Sequence, residues 1–520
     1  MSTTTPPDRA AKRLAKKNDP DRLSGWTTFA WTTTGFAGAS NVIVLSFLTI
    51  YATDALGLPA AVVGTMALLS KLVEAITVIL AGWWVDRSPV TRWGKARPYE
   101  LAILGVWAST YALFSTPDFD QTGRIVWVFA WMLMVNAVFT TLLGANDILY
   151  LARTFSGRRL IAKVATRTGL FTVLGAVGTS VLIPILLAGA GKSAAGYSRV
   201  VLWVAVPMAI VGLGRFVFCP EKYDTEAPSA DKLTFSEVKE VLSGNRYIWI
   251  IALMGIVAAF SGGSGITAYY FTYIVGDVAL MGAMAVIPLV ILPSMLAFPW
   301  LMKKMPVSRI ISLGALCGII GGAVLLVAGA SLPLIAVSSI VGGLAMLPIT
   351  FLTQLLIIDN ASYNEWLGKR RLESTMGAIN AFAGRIGGGL GAAATGWILG
   401  LAGYNGTLTT QPPSATTAIV LVAGGLPMVL WAIIIAVMWT YRTFEAMLPT
   451  IHTDLAEKHA AQGLHAPDDL SDVDLVTHPL AAPVPLSTAG GVVTTLTAPA
   501  ETEAMLDDLN DEPADERRPS

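Results

Sequence analysis

The sequence predicts an all-α membrane protein with twelve transmembrane helices in two bundles of six, and three observations indicate this class. Of the 520 residues, 54% are hydrophobic and only 13% are charged, whereas soluble domains carry about 25% charged residues. The apolar runs are continuous over about 20 residues, which is the length that crosses a bilayer as a helix. A polar connector at 221–245 separates six of these runs from the other six.

The apolar runs place the helices in chain order, with their ends defined to within a few residues. Those of the first half cover residues 27–52, 60–85, 99–115, 124–151, 160–189 and 199–218. Those of the second half cover residues 247–274, 278–302, 309–330, 333–358, 374–402 and 416–441. The predicted divisions are an N-terminal segment 1–24, a first bundle 25–218, a linker 219–246, a second bundle 247–442 and a disordered tail 443–520.

The cations predict the orientation of the chain, because Lys and Arg concentrate in cytoplasmic connectors. They cluster before the first span and in every second connector after it: Arg9 to Arg22, Arg87 to Arg97, Arg153 to Arg159, Lys303 and Lys304, and Lys369 to Arg371. The alternate connectors 53–59, 116–123, 275–277 and 403–415 contain neither residue. Both termini, the N-terminal segment, the linker and the tail are therefore expected in the cytoplasm, with Lys192 and Arg199 as the main exception to the pattern.

Several functional classes receive no support from the residues. The formal net charge is zero, which gives no indication of a nucleic-acid partner. The two cysteines, Cys219 and Cys317, lie in or beside apolar runs and have neither disulfide nor metal spacing. No nucleophile with a neighbouring base is visible, so we expect no enzyme activity, no cofactor and no metal. We also expect a monomer whose surroundings are the lipid bilayer.

The connector DRSPVTRWGKARPYE, residues 86–100, contains residues that an orientation signal alone does not require. Its cations suit a cytoplasmic loop, which is the simplest interpretation. However, Gly94 permits a tight turn, Pro98 suits the first turn of a helix, and Asp86 can pair with the basic cluster. A short, rigid, ion-paired connector between two moving helices could instead act as a conformational latch.

A second stretch, GRIGGGLGAAATG at residues 384–396, is rich in glycine. Small residues in membrane helices allow close packing against a neighbouring helix. A phosphate-binding loop is not indicated, because no strand precedes the glycines and the Lys-Ser/Thr ending of such loops is absent from the stretch.

Three stretches resemble the glycoside–pentoside–hexuronide:cation symporters, the melibiose-permease-like sugar-transporter branch of the major facilitator superfamily. They are YATDALGLPAAVVG at 51–64, GWWVDRSPVTRWGKARPYE at 82–100 and DNASYNEWLGKRRLESTMGAINAFAGRIGGGLGAA at 359–393. In the third stretch, the family pattern corresponds to Asp359, Tyr363, Glu365, Trp366, Arg371, Glu373 and Ser374. The resemblance covers roughly residues 25–441.

The resemblance implies the major facilitator fold and a function in a bacterial plasma membrane. That function is secondary active symport of a sugar, glycoside or uronide by alternating access, coupled to H⁺ in preference to Na⁺. An uncoupled or exporting major facilitator transporter of another small molecule or lipid is the alternative. A channel or a structural membrane protein is a rival from another class, but it explains neither the two halves nor the buried charges of opposite sign.

The cation-coupling candidates lie on helix 2, where charges at bilayer depth need a reason. Lys71 and Glu74 are spaced to pair on one helix face, so the pair could simply lock the helix. Alternatively, Glu74 binds a proton or cation, as the family's first helix-2 carboxylate does. The family's second carboxylate corresponds to Val78 here, which favours the proton. Thr77 and Asn136 complete the predicted site, although Asn136 could equally form a helix–helix hydrogen bond.

The substrate-binding candidates are Arg167, Arg385, Asn41 and Asn380. Both arginines match positions where the family has a basic residue lining the sugar cavity, and guanidinium groups suit hydroxyls or carboxylates. Arg167 could instead reach the cytoplasmic interface. The family's galactoside-binding Asp falls at Gly38, so the identity of the sugar is left open.

The predicted cytoplasmic gate comprises residues of the connectors that follow helices 2 and 10. We expect these ion-paired connectors, around Arg92–Arg97 and Glu365–Arg371, to close the cytoplasmic side in the outward-facing state. The members of the gate are Asp86, Arg92, Trp93, Gly94, Lys95, Arg97, Asp359, Tyr363, Glu365, Arg371 and Glu373.

Overall fold

The computed structural model describes residues 25–155, 158–191, 193–222, 245–284, 286–369 and 373–461. Throughout these ranges the chain forms helices joined by turns, with one isolated bridge between Thr91 and Gly94. Nine of the described helices are long and apolar enough to span a bilayer. The all-helical membrane class is thus confirmed, whereas the count of twelve spans and the side of the termini stay predictions.

The first half of the chain forms helices α1 to α6, which cover the predicted apolar runs. A single turn residue interrupts α1 at Phe47 and α6 at Leu213, and a widened π-helical stretch, Met134–Thr140, interrupts α4; none of these separates the parts of its helix. The bounds are α1 Gly25–Ala55, α2 Ala60–Arg87, α3 97–113, α4 121–154, α5 Arg158–Ala190 and α6 Ala194–Phe218.

The second half forms helices α7 to α13, of which the last was not predicted. Helix α8 is built from short helical pieces. The bounds are α7 Arg246–Val275, α8 279–302 without residue 285, α9 Val307–Ala328, α10 Leu332–Trp366, α11 Glu373–Leu401, α12 413–445 and α13 Leu448–Ala461.

The tail prediction is wrong for residues 443–461, which form the end of α12, a two-residue turn and helix α13. Ile451 and Leu455, one helical turn apart on α13, are buried in the core cluster of the second half, where α13 contacts α10. Two apolar side chains in a polar segment are too weak a pattern to reveal this docking. Residues 1–24, 223–244 and 462–520, which hold the N-terminal segment, most of the linker and the rest of the tail, lie outside the described residues.

The glycine-rich face of α11 lies between α2 of the first half and α7 of the second. A Cβ atom added to Gly396 would lie 2.4 Å from the carbonyl oxygen of Ala60 on α2. One added to Gly391 would lie 2.2 Å from that of Phe260 on α7. Only glycine therefore permits these backbone contacts, and α11 brings side chains of the two halves together.

Candidate functional site

A buried carboxylate at the middle of α2 is held from two sides. Glu74 is 3% exposed. Its Oε2 atom lies 2.6 Å from Nζ of Lys71 on the same helix, and its Oε1 atom accepts from Nε of Arg385 on α11 at 3.2 Å. Both carboxylate oxygens are therefore paired, and one of the pairs joins the two halves of the chain.

Local geometry explains why these three side chains meet. Lys71 and Glu74 lie three residues apart, so they share a helix face. Arg385 and Gly389 lie one turn apart on α11, and a Cβ atom at Gly389 would lie 2.9 Å from Cβ of Lys71. The glycine thus lets α11 approach α2 closely enough for the guanidinium group one turn away to reach Glu74.

The cluster contains two cations and one anion, and its members differ in exposure. The Glu74 side chain is 4% exposed, whereas those of Lys71 and Arg385 are 16% and 14% exposed. An isolated buried charge costs several kcal/mol, so the carboxylate requires a positively charged partner. A proton or metal cation that reached Glu74 would therefore compete directly with the guanidinium group of Arg385.

The other two predicted members of the cation site bond to helix backbone. Thr77 donates to the carbonyl oxygen of Glu74 at 3.1 Å, and Asn136 donates to that of Met132 on its own helix at 3.1 Å. Each side chain thus already has an acceptor within its helix. Their role in binding a cation stays a prediction.

The predicted substrate-binding residues lie in different surroundings. Asn380, on α11 like Arg385, has a buried Oδ1 atom near Gly255 of α7, and this atom has no hydrogen-bond partner in the described part of the chain. Asn41 donates to Oγ1 of Thr110 at 2.7 Å, which joins α1 to α3 within the first half. Arg167 is exposed on α5. The structure thus pairs Arg385 with the coupling candidate, which the sequence had not indicated.

The connector between α2 and α3 is fastened to the end of α6 in its own half. Gly94 has φ +107°, and a Cβ atom there would lie 2.3 Å from the Glu221 carboxylate. The backbone N–H groups of Ala96 and Arg97 each donate to Oε1 of Glu221 at 2.7 Å, and Nε of Arg97 donates to the carbonyl oxygen of Phe216. The expected tight turn at Gly94 is confirmed, and it forms a binding loop for Glu221.

Other predicted gate residues also pack within their own halves. The guanidinium group of Arg92 lies 4.6 Å from the ring centre of Trp93, which packs edge-on against Phe216 of α6. Tyr363 of α10 packs edge-on against Tyr247 of α7. Three further members fall outside the described atoms: Arg371 entirely, and the side chains of Asp86 and Glu373.

A buried charge cluster at the predicted cytoplasmic end of the first half was missed by the sequence reasoning. Arg215 on α6 lies 2.6 Å from Asp147 of α4 and 3.6 Å from Glu100 at the start of α3. Its guanidinium group lies 3.7 Å from the ring centre of Trp31. The signal was the single cation in the apolar stretch GLGRFVF, residues 212–218. The cluster joins four helices of one half, and its contacts stabilise their packing.

The architecture is one already known among transporters. A crystal structure of a mutant of the nucleoside transporter NupG superposes with a TM-score of 0.62, over 79% of this chain and 100% of that one, at 12% identity. At this identity the likeness establishes the fold, which is that of helical membrane transporters. Residues 34–443 match the family described as MFS/sugar transport protein, and the chain belongs to this family. It is thus a membrane transport protein and not an enzyme.

Curated relatives of similar length include both symporters and exporters. The isoprimeverose transporter of Lactiplantibacillus pentosus is 26% identical over 85% of this chain and 93% of its own length. The putative glycoside/cation symporter YagG of Escherichia coli (strain K12) is 24% identical over 84% and 95%. A putative 2,3-dihydroxypropane-1-sulfonate exporter of the same strain is 25% identical over 78% and 87%. The sequence-based recognition of a sugar-symporter family is confirmed.

Proposed function

We propose that this protein is a secondary active transporter that moves a sugar, glycoside or uronide together with a cation by alternating access. The observation that carries the proposal is the Glu74 carboxylate, buried and paired with Arg385 of the opposite half. Relatives named as an isoprimeverose transporter and as a putative glycoside/cation symporter support the same class of substrate.

Cation and substrate binding are coupled through Arg385. While the guanidinium group pairs with Glu74, its Nε donor is occupied. A cation at Glu74 removes the negative charge and releases Arg385, whose forked donors suit sugar hydroxyls or a carboxylate. Conversely, a substrate that holds Arg385 leaves Glu74 with one partner fewer and raises its affinity for a cation. This reciprocity is what a symporter requires.

The proton is the first choice of coupling ion, because the described side chains place a single acid in the cluster and protonation needs no further ligand. One observation favours Na⁺ instead. Oγ of Ser70, one turn from Glu74 on α2, is buried and lacks a hydrogen-bond partner in the described residues. That oxygen, together with the Thr77 hydroxyl, could add ligands for a metal cation.

We also propose the membrane arrangement that the sequence predicts. Helices α3, α8 and α11 would add three spans to the nine that meet the length and hydropathy criteria among described residues. The cation-bearing connectors would then face the cytoplasm of a bacterial cell, with the chain acting as a monomer. Export is the alternative, and the sulfonate-exporter relative supports it.

Uptake into proteoliposomes tests the function. A panel of radiolabelled glycosides and uronides is offered under an imposed pH gradient, an imposed Na⁺ gradient, or neither. We expect at least one compound to accumulate above its external concentration under a gradient and to equilibrate without it. If no compound accumulates under either gradient, the symport assignment is wrong. Gradient-driven efflux from preloaded vesicles would then favour the exporter.

A further inference from the structure

Helices α1 and α7 end in matching turns at one face of the bundle. This outer face, which we define by connectors 56–59, 276–278 and 402–412, is predicted to be extracellular. Each helix finishes in a widened π-helical turn, Tyr51–Ala55 in α1 and Phe271–Val275 in α7. A glycine with positive φ lies shortly beyond each turn, Gly57 at +68° and Gly276 at +85°. Widened turns of this kind are frequent at functional sites.

Counting back from these glycines shows which residues are equivalent in the two halves. Asp54 and Tyr273 each lie three residues before their glycine, and Tyr51 and Tyr270 each lie six residues before. The halves of major facilitators are related by an axis along the membrane normal, so equivalent residues near that axis can meet. Oδ2 of Asp54 accepts from the hydroxyl of Tyr273 at 2.7 Å.

Further hydrogen bonds between the halves surround this one. The Tyr404 hydroxyl, just beyond α11, donates to Oδ1 of Asp54 and lies 3.2 Å from that of Tyr273. The hydroxyls of Thr53 and Tyr269 lie 3.0 Å apart. Tyr269 and Thr53 are buried, and Tyr404 is only 8% exposed. Asp54 and Tyr273 are themselves half-buried, so the cluster is partly shielded from water, and hydrogen bonds are stronger where such shielding lowers the local dielectric constant.

Backbone contacts also hold the end of α1, on both sides of Asp54. A Cβ atom at Gly406 would lie 2.2 Å from the carbonyl oxygen of Thr53, so the connector after α11 rests directly on the end of α1. On the opposite side, Nη1 of Arg124 on α4 donates to the carbonyl oxygen of Leu56 at 3.0 Å. The segment that carries Asp54 is thereby anchored within the first half. Separation of the halves must break the bonds to Tyr273 and Tyr404.

We propose that Asp54, Tyr273 and Tyr404 form an outer latch, a gating cluster that holds the two halves together on the outer face. The inference rests on the alternating access of the proposed function. In that cycle the latch is closed while the site faces the cytoplasm and opens when the site faces outward. Asp54 is thus a gating residue for transport, and it acts through its two tyrosine partners.

Spin-label distances across the outer face test the latch. Labels at Asp118→Cys and Thr409→Cys, both exposed and in opposite halves, are measured by double electron–electron resonance in a Cys219→Ala/Cys317→Ala background. For the Tyr273→Phe/Tyr404→Phe variant we expect the population with longer distances to rise about tenfold or more relative to the parent, because both hydrogen bonds to a charged group are lost. Asp54→Asn, which keeps one acceptor oxygen, should give a smaller rise in the same direction.

The equivalent tyrosines supply a matched control. The hydroxyl of Tyr51 bonds to Thr116 of its own half, and that of Tyr270 donates to the carbonyl oxygen of Gly329 of its own half. Tyr51→Phe/Tyr270→Phe removes two similar hydroxyls, and we expect it to leave the distances unchanged. An unchanged distribution in both Tyr273→Phe/Tyr404→Phe and Asp54→Asn overturns the latch, as does equal opening in the control. The measurement needs neither substrate nor gradient, so it can fail or succeed independently of the symport assignment.

Discussion

Replacing Glu74 with Gln is expected to uncouple transport from the cation gradient while substrate exchange continues. The amide has nearly the shape of the carboxylate and can still accept a hydrogen bond from Lys71 or Arg385, whose donors lie 2.6 and 3.2 Å from the present oxygens. It neither takes up a proton nor attracts a cation by charge. The local packing around residue 74 is therefore expected to persist, but the step that couples the cation to substrate movement is lost.

The size of the effect follows from the cluster, in which Glu74 is the single acid among the described side chains. One cation per transport cycle is then expected. A membrane potential of 100 mV supplies about 2.3 kcal/mol per elementary charge, which corresponds to about 50-fold accumulation of an uncharged glycoside. For Glu74→Gln the expected ratio is about one. An anionic uronide moving with one proton carries no net charge, so the potential alone should not accumulate it.

Uptake and exchange are measured side by side in proteoliposomes with an imposed potassium diffusion potential. The matched control is Asp277→Asn, which removes a carboxylate from an exposed turn and leaves an oxygen able to accept from the backbone N–H of Ala279. It should behave as the parent protein does. If Glu74→Gln still accumulates the glycoside more than about fivefold, the coupling cation binds elsewhere and the reasoning is refuted.

Three further substitutions test the site and its packing. Arg385→Gln should raise KM about tenfold or more through loss of a charged donor, while the protein stays folded because Glu74 keeps its partner on α2. Gly396→Ala should lower stability by about 1–3 kcal/mol in thermal unfolding, because its Cβ would press on the backbone of α2. Arg215→Gln should cost about 3–5 kcal/mol by leaving Glu100 buried without its cation, measured as loss of folded protein.

Each of these substitutions has a control variant that distinguishes the stated cause from a general loss of folding. Arg385→Lys keeps the charge and should recover part of the lost affinity. Gly377→Ala changes a glycine of the same helix with nothing within 4 Å of the added atom, and should be neutral. The double variant Arg215→Gln/Glu100→Gln removes both charges and should be more stable than Arg215→Gln alone. Equal behaviour of a variant and its control would contradict the stated reason.

The sequence predicted the helices well because their signal is local. Apolar runs of span length need no information about the rest of the chain, and their helical bounds agree with the structure to within several residues. The exceptions depend on tertiary contacts. Helix α10 continues past the predicted residue 358 to Trp366, where Gly368 with φ +75° follows its end. Helix α13 is stabilised by docking, which the composition of residues 448–461 does not reveal.

For the candidate site as well, the sequence predicted the local contact and missed the contact between distant residues. The pairing of Lys71 with Glu74 follows from spacing along one helix and is observed. The pairing of Glu74 with Arg385 joins residues 311 positions apart and depends on which glycine face of α11 meets α2. The outer latch could not be predicted either, since Asp54 becomes a gating candidate only when Tyr273 and Tyr404 lie opposite it.

Helix α11 connects the Glu74–Arg385 ion pair with the outer latch, and both lie at the boundary between the two halves. Helix α11 carries Arg385 near the middle of its length, and the connector with Tyr404 begins about 24 Å further along its axis. Between them, the backbone at Gly396 touches α2. Under the proposed coupling, a cation at Glu74 would release Arg385, whereas Tyr404 would stay bonded to Asp54. Cation binding alone is therefore insufficient to separate the halves on the outer face. The proposed cycle also returns the empty transporter to the outward-facing state, so the latch must be able to open without a cation at Glu74.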